Sequence, residues 1–71
     1  MKQFNINVNR RTLFVVPVSA LGFHVFQGDT LILDISASLK EVGYDWVSKE
    51  KNIDANLMAS ATKAIEHYLS K

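Results

Sequence analysis

The sequence predicts a small α+β domain, with an antiparallel sheet of about four strands followed by one or two helices. The first residues alternate between apolar and amide side chains, as in a half-buried strand. Apolar runs rich in β-branched and aromatic residues then follow, separated by turn residues. Near the C-terminus the apolar spacing becomes helical. We therefore expect two hairpins, with the C-terminal helix packed on their sheet in a single domain over residues 1–71.

The first hairpin is predicted from residues 2–8 and 12–18. In residues 2–8 the apolar side chains share one strand face, and the amides of Gln3, Asn5, Asn7 and Asn9 share the other. Residues 9–11 interrupt this pattern and are expected to form the turn. Residues 12–18 are apolar on both faces, as in a central strand, although Pro17 favours a strand end because it lacks a backbone N–H.

The second hairpin is predicted from residues 23–26 and 30–35, which flank a turn at Gln27, Gly28 and Asp29. Gly28 can adopt the positive φ that such a turn requires. The segment from Gly28 to Ile35 is similar to the Gly-Asp-aliphatic hairpin of swapped-hairpin transcription factors. Any apolar strand after a Gly-Asp turn has this pattern, so we assign no family from it.

Residues 38–49 fit two structures, of which a helix is favoured. Ser38 and Glu41 have the spacing of a capping box, in which each side chain bonds the other residue's backbone N–H. One helical face would then carry Leu39, Val42, Trp46 and Val47. Gly43 opposes a helix, and in the alternative structure the helix ends there and residues 44–48 form a fifth strand.

The last segment predicts a helix over residues 55–69. Asp54 is the expected N-cap, and Ile53 and Met58 have the spacing of a hydrophobic staple around it. The apolar stripe of this helix consists of Leu57, Ala61, Ala64, Ile65, Tyr68 and Leu69.

Composition and charge narrow the classes of function. The chain has no cysteine, which excludes disulfides and thiolate metal sites and favours a cytoplasmic location. The net charge of +1 is too balanced to demand a polyanionic partner. We expect no cofactor, no metal and no membrane partner, and the small size is typical of a bacterial or phage accessory protein.

Candidate catalytic residues are better explained by structural roles, so we expect no enzymatic activity. Ser60 and Lys63 have the Ser-x-x-Lys spacing of serine acyl-enzymes, but two common residues produce this spacing by chance. An enzyme would need a pocket that gathers Ser60, Lys63 and a histidine. The two histidines, His24 and His67, are too few for a zinc site. The carboxylates of Asp29 and Asp34 are accounted for by a turn and a solvent-facing strand position.

An alternative function is that of a sheet-based nucleic-acid-binding regulator. Amide and guanidinium groups contact base edges and phosphates, and they are supplied here by Asn5, Asn7, Asn9, Arg10 and Arg11. Against it, we expect no aromatic side chain for base stacking on this face.

The favoured function follows from a surplus of apolar strand surface. One amphipathic helix covers one sheet face, whereas strands two to four are apolar on both faces. We expect the second face to form a homodimer or bind another protein, through Phe14, Val16, Phe23 and Phe26. A helix over residues 39–49 packed under the sheet would instead cover that face.

Overall fold

The computed structural model describes residues 2–50 and 53–70, which form a five-stranded antiparallel sheet and one helix. Each strand pairs with its neighbours in the sequence, so the sheet is a meander in the order β1-β2-β3-β4-β5. The elements are β1 (Phe4–Val8), β2 (Arg11–Pro17), β3 (Gly22–Gln27), β4 (Thr30–Leu39), β5 (Tyr44–Ser48) and α1 (Ala55–Leu69).

The β1–β2 hairpin has a two-residue loop, because Val8 pairs with Arg11. Asn9 and Arg10 both have positive φ, at 52° and 66°, which is the conformation of a type I′ turn. This turn matches the right-handed twist of the flanking strands. The predicted turn is therefore confirmed at Asn9 and Arg10, whereas Arg11 already belongs to β2.

The β3–β4 hairpin is closed by Gly28 and Asp29, and Gly28 has a φ of 61°. The pairing register shifts between Val25 and Phe26, which marks a β-bulge. Because Val25 pairs with Leu33 but Phe26 pairs with Leu31, the shift places Leu31 on the same sheet face as Phe26. The predicted hairpin is confirmed, and the bulge is an addition to it.

The predicted helix over residues 39–49 is wrong, because β4 extends to Leu39 and Tyr44–Ser48 form the fifth strand. Gly43 has a φ of 81°, a left-handed conformation that ends a helix but closes a hairpin. The turn is held by a hydrogen bond in which the Lys40 N–H donates to the Gly43 carbonyl oxygen over 3.1 Å. Ser38 consequently lies in β4 and caps no helix.

Helix α1 confirms the prediction for the C-terminal segment. The Asp54 carboxylate accepts hydrogen bonds from the Asn56 N–H at 2.9 Å and the Leu57 N–H at 3.3 Å, so Asp54 is the N-cap. Ile53 and Met58 both pack against the core. Within residues 2–50 and 53–70, no helix is long and apolar enough to cross a membrane.

The core lies between α1 and one face of the sheet. Its strand residues are Phe4, Ile6, Val8, Leu13, Val15, Phe23, Val25, Leu33 and Ile35, and its helix residues are Ala61 and Ile65. The helix lies closest to β1, where the Tyr68 ring stacks on Phe4 with a centroid distance of 3.7 Å. The α+β class and the packed C-terminal helix are thus confirmed, with five strands rather than about four.

Two polar groups are buried in this core. Thr62 is satisfied within the helix, because its hydroxyl donates to the Met58 carbonyl oxygen over 2.8 Å. Trp46 packs against Phe23, with ring centroids 5.9 Å apart, and its Nε1–H has no hydrogen-bond partner among the described residues.

Candidate interaction surfaces

The sheet face opposite α1 is uncovered by any other described element, and we call it the open face. The alternative in which a helix over residues 39–49 covers this face is wrong, because residues 44–48 extend the sheet as β5. By strand alternation and register, the side chains on the open face are those of Asn5, Asn7, Thr12, Phe14, Val16, His24, Phe26, Leu31, Asp34, Ser36, Ser38, Asp45 and Val47.

The centre of the open face is apolar. Phe14 pairs with Phe26, and Phe26 pairs with Leu31, so three large side chains form a row across β2, β3 and β4. Phe14 is 37% exposed and Leu31 is 44% exposed. A shallow cavity of about 310 Å³ adjoins the row and is lined by Phe14, Val16, Phe26, Gly28 and Asp29. The structure thus brings together Phe14, Val16 and Phe26, which are three of the four residues expected at an interaction surface.

Phe23, the fourth expected residue, does not belong to this surface. It is 0% exposed and lies in the core, on the side of β3 that faces α1. The reason is strand alternation, which places Phe23 and Val25 on one face of β3 and His24 on the other. Leu31 takes its place on the open face, where the bulge pairs it with Phe26.

The open face carries negative charge from carboxylates. His24 Nε2 lies 3.5 Å from Asp34 Oδ1 on the neighbouring strand, and Lys40 Nζ lies 3.5 Å from Asp45 Oδ1. Such exposed or half-exposed pairs contribute little stability, and with neutral histidine the carboxylate of Asp34 is not offset by a cation in its pair. The open face is therefore not built to attract a polyanion.

The residues of the nucleic-acid alternative are divided between two sides of the molecule. Asn5 and Asn7 lie on the open face, where Asn5 is next to Phe14. This contradicts the expectation that no aromatic residue shares their face. Arg11, however, lies on the same strand face as the buried Leu13 and donates from Nη1 to Gln27 Oε1 over 3.2 Å, away from the open face. Asn9 and Arg10 form the turn between the two strands.

A larger cavity of about 620 Å³ lies between β1 and α1, and we call it the edge groove. Its lining consists of Asn5, Ile6, Asn7, Val8 and Asn9 from the β1 hairpin and Ser60, Lys63, Ala64, His67 and Tyr68 from α1. Because β1 is the first strand in the sheet order, one of its sides has no strand partner among the described residues. The groove therefore opens along a free sheet edge.

The edge groove gathers Ser60, Lys63 and His67, the set that a serine enzyme would need. These residues share one helix side because they are separated by three and four positions. Among the described residues, no hydrogen bond joins the Ser60 hydroxyl to Lys63 or to His67. The groove thus places a cation and an imidazole near Ser60 without a hydrogen bond to its hydroxyl among the described residues.

No metal site is formed by histidine, aspartate and glutamate side chains within residues 2–50 and 53–70, since no three of them cluster. No protein-family model, curated protein or solved structure matches the chain significantly. Functional inference therefore rests on the open face and the edge groove themselves.

Proposed function

We propose that the protein is a non-enzymatic interaction protein of the cytoplasm, which forms a homodimer by packing the open faces of two subunits together. The observation that carries this proposal is the row of Phe14, Phe26 and Leu31 across three adjacent strands, in which Phe14 and Leu31 are exposed and Phe26 is half-buried. Isologous dimers are the commonest closed assemblies, and they require only one self-complementary patch.

The geometry of the row suits sheet-on-sheet packing. Strands β2, β3 and β4 are hydrogen-bonded neighbours, so the three side chains project from one continuous surface. Two such surfaces can pack about 10 Å apart with their side chains interdigitated. Burying a large apolar side chain contributes about 1.5–3 kcal/mol, and each residue of the row is buried twice in a symmetric dimer. At the β4–β5 end of the face, Lys40 offsets the charge of Asp45, so this pair adds little repulsion between the copies.

The decisive experiment compares two variants by light scattering at micromolar concentration. The wild-type chain of 8.0 kDa is expected to elute as a dimer. The double variant Phe14→Ser, Leu31→Ser is expected to be a monomer, with a dissociation constant raised more than about a hundredfold because two central anchors are lost from each subunit.

The matched control is Val42→Ser, which removes a 90% exposed apolar side chain from the β4–β5 turn, outside the open face. This control should remain a dimer. A wild-type monomer at the same concentration, or a dimer that tolerates the double substitution, would contradict the proposal.

A second candidate function is nucleic-acid binding, which the adjacency of Asn5 and Phe14 favours. Aromatic rings on a sheet can stack on single-stranded bases, while amides contact base edges. Fluorescence anisotropy with a labelled single-stranded RNA or DNA tests this function. Binding that falls with salt and is lost in the variant Arg10→Ser, Arg11→Ser would favour it over the dimer proposal.

A further inference from the structure

We propose that the edge groove binds an extended acidic segment of a partner protein, which adds to β1 as a sixth strand and places a carboxylate beside Lys63 and His67. This site lies at the edge of the sheet and is separate from the open face. It therefore stands independently of the proposed dimer.

The first argument comes from the backbone of β1. Val8 and Arg11 flank the type I′ turn and so form a hydrogen-bonded pair. Because hydrogen-bonded and non-hydrogen-bonded pairs alternate in an antiparallel ladder, Ile6 and Phe4 also point their backbone groups at β2. Asn5 and Asn7 then direct their N–H and C=O groups outward, where an added strand can bind all four.

Strand β1 lacks the usual protection of an edge. Proteins block edge strands with proline, with lysine or with a bulge. Phe4–Val8 contains neither proline nor lysine, and it pairs with β2 without the register shift that marks a bulge. The inward strand face is already committed to the core, since Phe4, Ile6 and Val8 are buried. The free edge of β1 is consequently open to a single additional strand.

The second argument comes from the wall that α1 forms beside this edge. Tyr68 closes one end of the groove by stacking on Phe4, and the small side chain of Ala64 leaves space beside Ile6. Every second side chain of an added strand would enter this space. The volume of about 620 Å³ is within the range of about 300–1,000 Å³ that binding pockets occupy.

The third argument, charge complementarity, selects the occupant. Lys63 and His67 line the groove, and neither forms an ion pair among the described residues. A carboxylate on the incoming segment would pair with Lys63 at the groove wall. A second copy bound by β1–β1 pairing would instead supply a second Lys63 and no carboxylate from the groove lining. Like charges therefore disfavour self-pairing and favour an acidic partner.

The test uses the full chain and two labelled synthetic peptides of about six residues, the length of an ordinary strand. Both alternate valine and threonine, and they differ only in a central glutamate or lysine. We expect the glutamate peptide to bind about tenfold more tightly, as measured by fluorescence anisotropy. In nuclear magnetic resonance spectra, this peptide should slow the exchange of the Asn5 and Asn7 amide protons and leave the Phe26 amide resonance unmoved.

Two variants separate the charge from the strand edge. Lys63→Glu should reverse the preference, so that the lysine peptide binds more tightly, whereas the control Lys49→Glu changes net charge equally at an exposed position outside the groove and should preserve it. Asn7→Pro removes an outward N–H and should abolish binding of both peptides.

The amide exchange of the wild-type chain keeps the test decisive if Asn7→Pro does not fold. Equal affinity for the two peptides, or peptide-induced changes centred on Phe14 and Phe26, would overturn the proposal. The proposal would also be overturned if the wild-type homodimer is disrupted by Asn7→Pro but persists in the variant Phe14→Ser, Leu31→Ser. A second copy of the chain would then occupy the edge. A monomeric wild-type chain that still prefers the glutamate peptide would refute the dimer alone.

Discussion

The two faces of strand β2 both carry large apolar side chains, but their surroundings differ. On β2, Leu13 and Val15 are 1% and 0% exposed, whereas Phe14 between them is 37% exposed. The difference arises from α1, whose apolar stripe covers one face, and from β5, which widens the sheet instead of covering the other. The sequence of β2 alone thus allows either face to be the core, and the helix selects between them.

The largest expected effect compares one phenylalanine from each face. Phe23→Ala should lower the free energy of unfolding by about 3–5 kcal/mol, because Phe23 is fully buried and its loss leaves a cavity. Phe14→Ala should cost only about 1 kcal/mol, because part of that ring already contacts solvent. Urea unfolding followed by circular dichroism, at dilutions where the chain is monomeric, measures both values. Equal costs would mean that the open face is covered in solution.

A smaller effect tests the contact between α1 and the covered face at β1. Tyr68→Ala should cost about 1–2 kcal/mol, since it removes a ring stacked on Phe4 at 3.7 Å. The control Tyr68→Phe keeps the stacked ring and should change stability by less than about 0.5 kcal/mol. The same urea titration applies, and a neutral Tyr68→Ala would show that α1 does not pack on Phe4 as described.

The smallest expected effect comes from the β1–β2 turn, where a substitution leaves both faces of the sheet unchanged. Arg10 has a φ of 66°, a left-handed conformation that costs a non-glycine residue about 1–2 kcal/mol. Glycine avoids this cost, but its greater conformational entropy in the unfolded state cancels part of the gain. Arg10→Gly should therefore raise the free energy of unfolding by about 0.5–1 kcal/mol, with no change in dimerisation. Thermal unfolding together with light scattering checks both statements. A destabilised variant would indicate that the Arg10 side chain makes a contact of its own.

Local signals explain what the sequence predicted correctly. The alternation of Phe4, Ile6 and Val8 with asparagines predicts only a half-buried strand, because each face is uniform in polarity. Asp54 was predictable as an N-cap because the carboxylate bonds donors two and three residues away in the chain. Both features depend on neighbours in the sequence.

The errors arise where two structures share one pattern. The spacing of Leu39, Val42 and Trp46 suits a helical face, but it is equally compatible with a strand, a turn at Gly43 and another strand. In β3, strand alternation separates Phe23 from Phe26, but both faces carry a phenylalanine, so the strand sequence does not tell which of the two faces α1 covers. The bulge between Val25 and Phe26, which brings Leu31 to the open face, has no glycine or proline to signal it.

The edge groove was only half predictable. The common helix side of Ser60, Lys63 and His67 follows from their spacing along α1. Their position beside β1 depends on the first strand being at the sheet edge and on the last helix packing next to it. That arrangement joins opposite ends of the chain, and no local pattern contains it.

The meander topology has a consequence for synthesis on the ribosome. Because each strand pairs with the one made just before it, all five can assemble as they emerge, whereas Ala61 and Ile65 are supplied by a helix that is translated after the whole sheet. Until that helix leaves the exit tunnel, the nascent sheet presents apolar side chains on both sides. The order of translation therefore leaves the future core face open to aggregation until α1 has been made.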